Sequence, residues 1–121
     1  MPLGDTRAEL TLAARWALRF LGEQEPLLRL VQREADQFPD LIGRVHTALV
    51  LPGYDQATAF FSRLLCEAGG DDTRARGIAT IALASIVHYV EDRAIYGVPP
   101  GGLDEESFVQ AWVETWVRNL R

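Results

Sequence analysis

The sequence predicts an all-α domain of about six helices, and three observations predict it. Apolar residues recur at intervals of three and four along successive segments. Gly and Pro punctuate those segments. No stretch sustains the alternation of a strand. The 121 residues suit a single domain, 1–121, long enough to bury a core of its own.

The first helix is expected from Asp5, an N-cap, to Leu21, with Gly22 as its stop signal. Leu10, Ala13, Ala14, Trp16, Ala17, Leu18, Phe20 and Leu21 fall on one broad arc, with Arg15 and Arg19 opposite. The second opens at Pro26 and ends near Phe38, because Pro39 disfavours helix at the residue before it. The third begins at Asp40, gathers Leu41, Ile42, Val45, Ala48 and Leu49 on one side, and should break at Leu51 to Gly53. The fourth runs from about Tyr54 to Ala68, with Ala57, Phe60, Phe61, Leu64 and Leu65 inward and "GGDD" as its end.

The fifth segment, Asp72 to Tyr96, is apolar around more than half its circumference, which predicts a helix sandwiched between neighbours. Small residues at Gly77, Ala79, Ala82, Ala84 and Ser85 allow close helix approach, and "GVPPGG" forces a turn. The sixth helix starts at Asp104, an acidic cap followed by Glu105 and Glu106. Phe108, Val109, Trp112, Val113, Trp116, Val117 and Leu120 cover about half of its wheel. Two tryptophans one turn apart on so broad an apolar arc make a partner contact one reading, and packing on the chain's own core the other.

Composition narrows the function classes. A net charge of −5 argues against holding a phosphate backbone by bulk electrostatics. A single cysteine, Cys66, excludes an internal disulfide and a cysteine-based zinc site, and a spectator thiol in a reduced compartment is expected. No apolar run is long enough to span a bilayer, and "MPLGDTRAEL" lacks the pattern of a secretory signal, so the cytoplasm is the expected location. All twelve basic residues are Arg, a pattern consistent with a GC-rich coding bias.

Enzyme chemistry finds little footing. His88 and Glu91 are three apart on a helix, the reverse order of Glu-x-x-His, without the second copy a di-iron site needs. No glycine-rich loop follows a strand. A non-enzymatic protein with no cofactor is therefore expected.

"RLVQREADQFPDL", from Arg29 to Leu41, resembles the helix connection in the C-terminal regulatory domains of TetR-family transcriptional regulators, with its Glu34-Ala35 and Phe38-Pro39 pairs. "LPGYDQATAFFSRLL" and "LDEESFVQAWVETWVRNL" are similar to the later helices of those domains in order and character. The resemblance covers the chain from about Leu10 onward. It implies an effector-sensing and dimerisation domain whose N-terminal helix-turn-helix module is not in this chain, so that DNA would be reached only through that module. It also implies a homodimer through the last two helices, with Ile86, Val90, Phe108, Trp112 and Trp116 on both sides, and a pocket for a small, largely apolar effector.

The residues offer that pocket few polar groups. Glu34 lies on the apolar side of its helix, between Leu30 and Leu27. A carboxylate there needs a partner. That partner is an arginine, helix N-terminus or backbone amide in the structural reading, and a ligand's polar group in the functional one; solvent exposure is the third possibility. His46 and His88 border apolar arcs and would add polarity to a pocket, or serve as hydrogen-bonded structural residues. Phe20, Phe60 and Phe61, like Trp16, are core residues in the plain reading, but pockets in helical domains are carved from such cores. The candidate ligand set is thus Phe20, Glu34, His46, Phe60, Phe61 and His88. The alternative to a sensory domain is a self-contained helical interaction module that binds a partner through Trp112 and Trp116.

Overall fold

A computed structural model describes residues 5–65 and 72–120. Among them there are helices and turns and no strand: α1 (Thr6–Glu23), α2 (Glu25–Glu34), α3 (Pro39–Val45), α4 (Leu51–Leu65), α5 (Asp72–Tyr96) and α6 (Glu105–Asn119). The all-α expectation holds. Cys66 and the residues 69–71 of "GGDD" lie outside the described residues.

Both predicted acidic caps are present. Asp5 accepts a hydrogen bond from the Ala8 N–H at 3.0 Å, and Asp104 accepts one from the Ser107 N–H at 2.8 Å. That bond holds the Asp104 carboxyl below its usual range. The cap therefore contributes above the ordinary pKa and is lost as pH falls through the depressed one.

Two predicted breaks are displaced. Gly22 lies inside α1, and the chain turns at Gln24, whose N–H bonds back to the Phe20 and Leu21 carbonyls before Pro26 enters the first turn of α2. The "LPG" stretch does not end a helix. A π turn, His46–Val50, joins α3 to α4, and the Leu51 N–H reaches the His46 carbonyl five residues back. Pro52 lacks the N–H an α-ladder requires and its ring crowds the carbonyl four residues earlier, and the widened turn just before it makes room. α2 ends at Glu34, not Phe38, where the Glu34 carbonyl takes both the Gln37 and Phe38 N–H groups.

The core is built by α1, α4, α5 and α6. Leu10, Ala14 and Leu18 from α1 meet Phe61 and Leu64 from α4, Ala79, Ala82, Ile86, Tyr89 and Val90 from α5, and Val109, Trp112, Val113 and Trp116 from α6. Alanines at 14, 79 and 82 are fully buried, so neighbouring backbones approach closely where the sequence supplies small side chains. Aromatic rings fill the wider gap to α6. Phe61 meets Trp112 and Trp116 edge-on, Tyr89 stacks on Phe108 at 4.3 Å between centroids, and the Trp112 indole N–H donates to the Ala82 carbonyl at 3.1 Å.

Exposed ion pairs link the helices at the surface and contribute little to stability. Arg7 with Glu114 and Arg15 with Glu106 tie α1 to α6, Arg63 with Glu9 ties α4 to α1, and Arg93 with Glu105 ties α5 to α6. The turn after α5 is closed from inside. Gly97, Gly101 and Gly102 adopt positive φ, and the buried Tyr89 hydroxyl donates to the Leu103 carbonyl at 2.8 Å.

Neither α2 nor α3 nor the π turn contributes a residue to this core or packs a hydrophobic side chain against it. They form an outer layer on a packed body.

Candidate functional site

The outer layer meets the body at a seam between α2 and α5. Glu25, Leu28, Arg29 and Gln32 face Val90, Glu91, Ala94 and Ile95 across a cleft of about 10 Å³, the room of a single water. The bonds across it are polar. Arg29 donates to the Ala94 carbonyl at 2.8 Å and pairs with Glu25 at 2.7 Å, while Gln32 donates to the Glu91 carboxylate at 2.7 Å. Val90 and Leu28 give the cleft an apolar floor, and the charged groups form its rim. An apolar floor with a few convergent polar groups is what a small-molecule site requires, although here the space opens only if α2 moves.

α2 therefore presents its polar side to α5. Its apolar stripe, Leu27, Leu30 and Val31 with Phe38 just beyond, is centred more than a third of a turn away from the residues that line the seam. Phe38 is 51% exposed, and Leu30, Leu41 and Leu51 are also exposed.

Glu34 lies on that stripe, half-buried, with its carboxylate 3.3 Å from the Arg33 guanidinium. The arginine partner of the structural reading is present, but it is the neighbouring residue and ties no two helices together. His46 is exposed in the π turn, and His88 is exposed on α5, 3.8 Å from Asp92. Phe20 is half-buried and stacked on Trp16 at 5.2 Å. Phe60 packs on the core under the Arg63 guanidinium, and Phe61 is inside the core. These six residues are distributed over α1, α2, the π turn, α4 and α5, and none lines the seam.

The residues expected at a dimer contact lie inward. Ile86 and Val90 are buried, Trp112 and Trp116 are 6% and 7% exposed, and Phe108 packs against the core. Their apolar surface is used within one protomer, as the core-packing reading of the two tryptophans required. The outward side of α5 instead carries Gly77, Ile81, Ala84 and His88. Trp16 is 60% exposed beside Leu12 at 69%, both on the side of α1 away from the core.

Sequence reasoning missed Arg29 and Gln32, and weighed Glu91 only beside His88 as a metal pair. The signal was available in part: the three lie on polar sides of their helices, and only the tertiary placement of α2 brings them together. Among the described residues no group of three or more His, Cys, Asp or Glu is placed to hold a metal ion, and no helix is long and apolar enough to cross a membrane. The fold and seam define the chain as an all-α domain with a packed four-helix body and a polar-latched outer layer. No family model, curated protein or solved structure matches the chain.

Proposed function

We propose that the chain is the effector-sensing and dimerisation domain of a TetR-like transcriptional regulator, non-enzymatic, binding a small, largely apolar ligand. DNA contact belongs, in this reading, to an N-terminal helix-turn-helix module outside the chain. The observation that carries the reading is the construction of the α2 seam. One of the stretches that resemble the family, Arg29 to Leu41, lies in the layer left out of the core, and its first helix is latched to α5 by polar groups over an apolar floor. A ligand that separates α2 from α5 trades those few bonds for burial of Ile95 and the rest of Leu28, while keeping Val90 covered. It moves the outer layer without disturbing the body. A shift of this kind requires different affinity for the latched and opened states.

A thermal-stability screen with small apolar and amphipathic compounds tests this. A filled seam raises the unfolding temperature with ligand concentration, the folded state gaining about 2.7 kcal/mol at a hundredfold excess over Kd. Arg29→Ala should change that response while leaving the unliganded core intact. A screen in which no compound stabilises the protein would favour the second reading, a helical interaction module. The exposed Leu12 and Trp16 pair on α1 supports that alternative.

A further inference from the structure

The two bonds that latch α2 to α5 differ in kind. Arg29 and Gln32 stand one turn apart on α2 and reach Ala94 and Glu91, one turn apart on α5, so the two helices run antiparallel along the seam. At one end a guanidinium meets a carbonyl in the last turn of α5, where carbonyls lack an intrahelical N–H and carry the negative end of the helix dipole. Arg29 also pairs with Glu25, so charge is balanced at this end.

At the other end a carboxylate is held only by a neutral amide. Gln32 donates to Glu91 at 2.7 Å, and Glu91 makes no ion pair among the described residues. The seam therefore holds two carboxylates, Glu25 and Glu91, against one guanidinium, over the apolar floor of Leu28 and Val90.

Ligands of different charge meet this arrangement differently. A neutral apolar molecule that parts α2 from α5 takes the Gln32 amide off Glu91 and covers the carboxylate without giving it a donor, which costs free energy. An anion meets both Glu91 and the carbonyl end of α5, and finds a partner only by drawing Arg29 away from Ala94 and Glu25. A cation takes the place of the Gln32 amide, adds the Coulombic attraction the amide lacks, and leaves Arg29 on its carbonyl.

We infer that the effector of this seam is a small amphipathic cation, with an ammonium or guanidinium head on Glu91 and an apolar body against Leu28, Val90 and Ile95. This rests on the reading of the seam as the effector site and adds the sign of the ligand's charge. Glu91 is the residue that selects, and Gln32 occupies the head-group position while the seam is closed.

Thermal unfolding of the full chain with octylammonium, octanol and octanoate tests it, since the three share one apolar body and differ in head-group charge. Octylammonium should stabilise the protein saturably at a concentration at least about tenfold lower than octanol requires, and octanoate should be the weakest of the three. Glu91→Gln should bring octylammonium to the level of octanol and leave the octanol response unchanged. Asp40→Asn removes the same charge from an exposed position on α3, outside the seam, and should leave the preference for octylammonium intact.

Octanol or octanoate acting as well as octylammonium would overturn the inference and leave the seam as an effector site. A preference that survives Glu91→Gln, or that Asp40→Asn abolishes equally, would also overturn it, by tracing the attraction to the overall charge of −5. Stabilisation by none of the three would overturn it as well, and the effector reading would fall with it only if the wider screen of apolar compounds were also empty.

Discussion

Trp112→Ala should be among the most damaging single substitutions in the protein, lowering stability by about 3–5 kcal/mol. The indole is buried between Phe61 and Trp116, and its N–H is held by the Ala82 carbonyl of α5. Removing it leaves a cavity at the junction of α4, α5 and α6 and withdraws the donor from a buried carbonyl. Ser85 Oγ still donates to that carbonyl at 2.7 Å, so the damage is mainly lost packing. A chemical denaturation series checks it, and the thermal midpoint should fall by more than about 10 °C. Phe38→Ala is the control. An aromatic of comparable bulk is removed there from an exposed position, and monomer stability should move by no more than about 0.5 kcal/mol.

Tyr89→Ala should cost a similar 3–5 kcal/mol, on a different side of the core. Tyr89 is fully buried, stacked on Phe108, and its hydroxyl fastens the turn between α5 and α6 at Leu103. Tyr89→Phe keeps the ring and removes only the bond, for a loss of about 1 kcal/mol. The two variants together separate ring packing from turn closure.

The same residue gives a pH signature. Burial pushes the Tyr89 phenol above its ordinary value of 10.0, against the lowering influence of Arg93 nearby. The folded state then holds this proton more tightly than the unfolded state does. Its contribution is complete below about pH 10 and is lost as pH rises through the raised pKa. Wild-type stability measured from about pH 8 to pH 11 should therefore decline more steeply than that of Tyr89→Phe.

Much of this architecture was legible because it depends on local chemistry. Asp5 and Asp104 cap helices with a side chain three residues from the amide they serve, and the limits of α5 follow from an uninterrupted apolar pattern closed by Gly97. Pro52 misled for a physical reason. A π turn is a tertiary accommodation with no compositional mark, and it let one continuous helical arm run from Pro39 through Leu65 where a break was expected.

The candidate site was less legible. A helical wheel identifies the stripe through Leu27, Leu30 and Val31 and the arc through Trp112 and Trp116, but not which neighbour each will meet. In α6 the neighbour is the chain's own core; in α2 it is not. Glu34 illustrates the difference. A carboxylate on an apolar face predicts a buried partner only if that face is buried within the protomer, and here it remains half open beside Arg33.

The central claim is that residues Glu25 to Val50 form a layer separate from the cooperative core, free to respond to a ligand at the α5 seam. Hydrogen exchange by mass spectrometry tests it most directly. Amides of α2, α3 and the π turn should exchange orders of magnitude faster than those of α5 and α6, which open only by global unfolding. Equal protection across Glu25 to Val50 and α5 would show that the layer belongs to the core, and would contradict the account.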